Sequence, residues 1–195
     1  MMLRLSIGLL AVTACAAPSS PAPEARFFER LSTLCNGEAY AGQLVSTDAV
    51  DADFKSANMR MGPARCDGTV IYIPFAVDED RSRTWVITRT PEGVRLKHDH
   101  RHKDGEADTL TNYGGDSNEV GTMAAQDFPA DDETKTLFTQ ENIEVSNANT
   151  WRVEIDPGAV FTYQMSRPER LFRVEFDLSQ AVATPPPSWA QAPIE

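Results

Sequence analysis

The chain has 195 residues, 29 of them acidic against 18 basic, for a formal net charge of −11, and 41% are hydrophobic. That length fits one domain of ordinary size. An acidic chain without a Lys/Arg cluster is repelled by phosphate backbones and gains nothing from anionic lipid headgroups, which excludes nucleic acid as an expected partner.

Met1 to Arg4 is a brief positive stretch, Leu5 to Val12 an apolar run too short to span a bilayer, and small residues lead into Cys15. Val12-Thr13-Ala14-Cys15 resembles the lipobox of bacterial lipoproteins. The resemblance implies cleavage before Cys15 and acylation of its thiol, leaving 181 residues with a formal charge of −12, since Arg4 is the one charge removed. It implies a protein of the bacterial cell envelope whose membrane attachment comes from the lipid on Cys15 alone, and the following Ala16 points to the outer membrane, facing the periplasm. Ala16 to Glu24, rich in Pro, Ser and Ala without large apolar residues, reads as a tether. The expected division is signal peptide 1–14, lipidated tether 15–24, folded domain 25–180 and a loose Pro-rich tail 181–195.

Phe27, Phe28, Leu31, Leu34 and Cys35 fall on one face at helical spacing, ending at Gly37, and predict a short amphipathic helix with a glycine C-cap. With Cys15 lipidated, Cys35 and Cys66 remain as a pair in an oxidising compartment, so a bridge is expected, and two separately buried thiols are the alternative. The bridge would staple the helix to the segment around Cys66.

Beyond Gly37 the chain turns to short runs rich in Val, Ile, Thr, Phe, Tyr and Trp, punctuated by Gly, Pro, Asp and Asn. Strands are predicted near 39–46, 54–61, 68–77, 83–90, 93–103, 106–113, 120–127, 150–156, 159–166 and 170–178. A helix is predicted at 131–139 with Asp131 or Asp132 as its cap. About ten strands without a βαβ rhythm predict an all-β fold, an antiparallel β-barrel or barrel-like meander with a short N-terminal helix. A helix followed by such a meander resembles the lipocalin-like (calycin) barrels in architecture, although a Gly-x-Trp motif near the first strand is lacking. The strings SRTWVITRT, HDHRHKDG, NYGGDS and QDFPADDET, within residues 70–178, are similar to a group of bacterial secreted proteins, a likeness that implies no catalytic chemistry.

Asp104-Gly105 between two alternating runs predicts a two-residue hairpin turn, which makes paired residue numbers sum to 209 and sets Lys103 opposite Glu106 and Arg101 opposite Asp108. Arg95, Lys97 and Asp99 then face solvent. The other face carries Val94, Leu96, His98, His100 and His102 opposite Tyr113, Thr111, Thr109 and Ala107, a gradient from core to polar wall. Imidazoles, hydroxyls and a phenol on a concave wall can orient a partly polar ligand, so His98, His100, His102, Thr109, Thr111 and Tyr113 are the candidate ligand-binding residues.

His98 and His100 also form a candidate metal pair, with Cα atoms roughly 6.6 Å apart on one strand face, while His98 and His102 are about 13 Å apart. Any third ligand would have to be a carboxylate, because the chain has only three histidines. A polar network without ligand chemistry is the structural alternative. Histidine also changes charge between pH 5 and 8, which leaves room for a pH response. Ser117 lacks a nucleophile-elbow context, and the acidic runs Asp78-Glu79-Asp80 and Asp131-Asp132-Glu133 lack calcium-loop spacing. Trp85, Trp151 and Phe172 show period-two burial and are expected in the core. Arg83 and Arg89 share the Trp85 face, either as an inward anion anchor or as rim residues paired with acids. No catalytic residue or cofactor is identified. The expected function is non-catalytic binding of a small molecule in a barrel cavity. The alternatives are a metal-binding or metal-dependent enzyme using His98 and His100, and an envelope interaction protein with a filled core.

Overall fold

The computed structural model describes residues 22–117 and 121–191. The expected signal peptide, Cys15 and most of the tether lie outside the described residues. Eleven strands follow in chain order: β1 (Ala39–Leu44), β2 (Met59–Met61), β3 (Arg65–Asp67), β4 (Val70–Val77), β5 (Asp80–Arg89), β6 (Val94–His100), β7 (Tyr113–Asp116), β8 (Ala125–Pro129), β9 (Thr150–Asp156), β10 (Val160–Arg167) and β11 (Arg170–Val182). Two helices accompany them, α1 (Pro23–Leu31) before β1 and α2 (Asp132–Gln140) between β8 and β9.

All pairings are antiparallel, and the sheet runs β7-β6-β5-β4-β2-β1-β11-β10-β9-β8, with β3 pairing β4 off this path. First and last strands pair side by side, so two meanders wrap into a nearly closed barrel of calycin-like architecture. The remaining gap lies between β7 and β8. There the Asp131 amide donates to the Gly114 carbonyl at 3.0 Å, and the Thr134 hydroxyl accepts from the Gly114 amide at 2.7 Å and donates to its carbonyl at 2.9 Å. Glycine is required at this seam, since a Cβ on Gly115 would sit 1.8 Å from the Pro129 carbonyl oxygen. The first turn of α2 therefore staples the seam, with Asp131 as the N-cap accepting from the Thr134 amide and bonded to Lys97 at 2.7 Å.

Period two divides the walls. In β9, Trp151, Val153 and Ile155 point into the core, and in β11 Phe172, Val174, Phe176 and Leu178 do the same. Between them on the outer surface runs a ladder of charges: Asp127 bonds Arg152, Arg152 bonds Glu154, and Arg173 joins Glu154, Glu175 and Gln164. Membrane-spanning barrels carry an apolar band on that outer face, the reverse of this pattern. Among the described residues no helix is long and apolar enough to cross a membrane.

Helix α1 plugs one end. It forms because Pro23 opens it, Glu24 sits in its first turn and Phe27, Phe28 and Leu31 recur on one face, all three buried against the core. The face continues through a 3-10 turn, Ser32–Leu34, to Cys35, which is bridged to Cys66 of β3. Arg30 ties the plug to the end of β9 at Asp156 and the Ile155 carbonyl, and Arg89 lies over the Phe28 ring at 4.6 Å.

Several expectations change. The strand expected at 54–61 shortens to β2, because Ala49–Lys55 coils as a 3-10 helix across the opposite end, held by Arg170 on Asp51 (2.6 and 2.7 Å) and Asp48 (3.0 Å). The strand expected at 106–113 is a loop. The Asp104-Gly105 turn is present but spans three residues: Gly105 has φ +88° and its amide bonds the His102 carbonyl, and Arg101 bridges Ala107 rather than facing Asp108. Arg101 bonds Asp99 instead. The chain then leaves the ladder and rejoins it after Asn112, at φ +56°, placing His98 opposite Tyr113, a sum of 211. The strand expected at 120–127 is displaced to β8. Finally, the tail docks from Pro185 to Ser188: the Ser188 hydroxyl is 3.1 Å from that of Thr84, and the Pro187 carbonyl accepts from Arg81.

Candidate functional site

The end of the barrel opposite α1 is open and holds a cavity of about 390 Å³. Its inner wall comes from the strand ends at that mouth: Phe75 of β4, Arg83 and Trp85 of β5, His98 and His100 of β6, Tyr113 of β7, Trp151 of β9, Tyr163, Met165 and Arg167 of β10, and Arg170 and Phe172 of β11. Leu110 of the hairpin loop, Asp51 and Phe54 of the mouth 3-10 helix, Phe138 of α2 and the Ile143–Asn149 segment complete the rim. The volume lies within the usual range for ligand pockets.

At the base of the cavity the aromatic rings are interlocked. Trp85 stacks on Phe75 at 4.9 Å and on Tyr163 at 4.5 Å, and the His98 imidazole stacks on Tyr113 at 4.5 Å and 14°. His98 is 2% exposed. Its Nδ1 is 3.0 Å from the Tyr113 carbonyl, which can only accept, so Nδ1 carries the proton and Nε2 accepts from the Tyr163 hydroxyl at 2.8 Å. Burial, with His100 and Lys97 adding repulsion, lowers the His98 pKa to about 3, although the Tyr113 carbonyl favours the charged form. Above it, His100 Nε2 is 3.1 Å from the Tyr113 hydroxyl. Burial, then the nearby Arg83 charge, lowers the His100 pKa to about 4 against the pull of Asp108, Asp80 and Asp99. Burial also pushes both tyrosines up, so the four groups form a neutral, donor-and-acceptor patch at pH 7.

The candidate residues therefore divide. His98, His100 and Tyr113 line the cavity together. His102 is exposed beyond the end of β6, and Thr109 is exposed on the loop. The Thr111 hydroxyl accepts from the His100 amide and donates to Asp99 on the solvent face, so it does not line the cavity. The three-residue turn explains these placements, because it ends the regular ladder just after His100. A metal site on His98 and His100 lacks its third ligand, since no group of three His, Cys, Asp or Glu side chains converges among the described residues. Both nitrogens of His98 are already committed. Ser117 accepts from the Val94 amide, a loop-holding role. Arg83 lines the cavity but is bonded to Asp80 at 2.6 Å, the acid-paired alternative of its two readings, here taken up from an inward position. Arg89 sits at the plugged end.

Sequence reading missed Tyr163, Arg167 and Leu110, and took Trp85, Trp151 and Phe172 as core alone. Tyr163 was findable, because it shares the phase of Phe161 in a predicted strand. Leu110 was not, since its position depends on the loop.

The chain matches no family model, no curated protein and no solved structure. The likeness to a group of secreted proteins thus gains no support from these comparisons, and what defines the protein is its architecture: a plugged antiparallel barrel with an aromatic cup at its open end.

Proposed function

We propose that the protein binds a small, largely apolar organic molecule non-covalently in the open end of the barrel, without catalysis. One observation carries this reading: a 390 Å³ cavity walled by aromatic and aliphatic side chains, with the His98, Tyr163, Tyr113 and His100 groups fixed at its inner wall by one another. Fixed polar groups in an apolar cup select orientation without needing to reorganise on binding. A filled barrel, the requirement of a purely structural role, does not describe this end of the molecule. In the same proposal the protein is anchored to the outer membrane, facing the periplasm, through lipid on Cys15; the lipobox-like string and the Cys35–Cys66 bridge, which suits an oxidising compartment, support it.

The test is native mass spectrometry of the protein purified from an oxidising periplasm, with titration of the neutral fluorophore phenylnaphthylamine. An adduct of organic mass, or saturable fluorophore binding, is expected in the wild type and lost in Leu110→Trp, whose indole would occupy the cup. Binding that survives Leu110→Trp would place the ligand elsewhere and sink the reading, as would no adduct together with no fluorophore binding.

A further inference from the structure

We infer that the ligand is an organic anion, with its negative head on Arg167 at the mouth and its apolar body against the aromatic wall. This rests on the cavity reading and names the class of ligand it takes.

Three arginines line the cavity, and two are already matched. Arg170 is bonded to both Asp51 and Asp48, and Arg83 to Asp80. Arg167 differs. Its Nη1 reaches the Asn149 side-chain oxygen at 3.0 Å and the Met165 sulfur at 3.9 Å, and among the described residues no carboxylate lies within salt-bridge distance. In a chain where acids outnumber bases 29 to 18, a guanidinium without an acid is not a consequence of scarcity. Both groups that hold it are neutral. They orient the side chain without cancelling its charge, so the fork keeps donors for an incoming carboxylate, sulfonate or sulfate.

The other charged groups at the cavity are paired, Asp51 with Arg170 and Arg83 with Asp80, and the remaining polar groups of the inner wall carry no charge. His98 and His100 are neutral at pH 7, as are Tyr113 and Tyr163, so the inner wall favours an uncharged ring or chain and the charge preference is concentrated at Arg167. The acidic outer ladder does not forbid an anion here. Its charges are largely internally paired, and exposed charges are screened beyond about 8 Å at physiological salt. A direct charge-assisted contact in a partly buried mouth is screened far less.

The experiment uses two probes that differ in one group, anilinonaphthalene sulfonate and neutral phenylnaphthylamine, titrated into the full protein. Wild type is expected to bind the sulfonate more tightly, by roughly tenfold or more. Arg167→Gln should lose that preference while leaving the neutral probe's affinity within about twofold. Raising salt from about 0.05 to 0.5 M should weaken the sulfonate alone. Leu110→Trp should abolish both signals, which excludes dye adsorbed on the outer surface. Equal affinity for the two probes, or a sulfonate preference unchanged in Arg167→Gln, overturns the anion assignment and leaves the cavity reading standing. Failure of both probes to bind overturns the anion assignment, and together with the absence of an organic adduct it overturns the cavity reading as well.

Discussion

At the scale of single residues, the inner wall of the cup is a set of groups kept neutral by burial. His98 and His100 have folded pKa values of about 3 and about 4, against 6.5 for free histidine. Well above pH 6.5 both states are neutral and the two residues contribute no pH dependence. As pH falls below 6.5 the unfolded chain takes up protons that the folded chain refuses, so stability declines by up to roughly 1.4 kcal/mol per pH unit for each histidine until the folded pKa is reached. Thermal unfolding followed from pH 7 to 5 should show this decline, and His100→Gln should approximately halve its slope. An unchanged slope in the variant would mean that His100 titrates normally and is not buried as described. The carboxylates held down by arginine and lysine, such as Glu154 and Asp131, act at lower pH and do not confuse that window. How far such residues were legible depended on register. That His98 and His100 point inward followed from Val94 and Leu96 sharing their phase. That His102, Thr109 and Thr111 leave the cup did not follow, because Asp-Gly serves two- and three-residue turns alike; what selects the second is that Gly105 alone of the pair has positive φ, where a two-residue type I′ turn needs Asp104 there as well.

At the scale of elements, the two ends of the barrel are built differently, one open over a cavity and the other plugged. The plugged end is covalently stapled: Cys35–Cys66 closes 31 residues of chain and joins the exit of α1 to β3. A loop of that length contributes on the order of 3 to 4 kcal/mol through restriction of the unfolded state. In a chain of this size that corresponds to a drop of about 10 °C in Tm on reduction. Because the bridge is at the far end from the cup, reduction or a Cys35→Ala/Cys66→Ala pair should lower Tm while leaving phenylnaphthylamine affinity intact. Loss of binding at temperatures where the reduced protein is still folded would show that the two ends are coupled. The strands of this scaffold were readable because period two persists through β4, β5, β9, β10 and β11. The 3-10 helix at Ala49–Lys55 was not, since what bends it across the mouth is Arg170, more than a hundred residues away in sequence. The docked tail was hidden for the same reason, its contacts being with Arg81 and Thr84.

At the scale of the whole molecule, the outer wall from β8 to β11 is charged and paired, so that side of the barrel offers a bilayer no apolar face among the described residues. In the proposed location, attachment would come through the lipid on Cys15. Cys15→Ser should move the protein from the membrane fraction to the soluble periplasm with its Tm unchanged. Persistent sedimentation with membranes would defeat lipid anchoring as the sole attachment. The sheet order was only partly legible: an antiparallel meander was expected from strand spacing, but the pairing of β1 with β11, which closes it, links positions such as Leu44 and Val174 that no local pattern connects. The plug of Phe27, Phe28 and Leu31 has a further consequence. With the plug closing one end among the described residues, a ligand held in the cup as proposed would load and unload through the same mouth, making the protein a vessel rather than a conduit, and the lifetime of its cargo would be decided at the rim, by Arg167, Leu110 and the segments that border them.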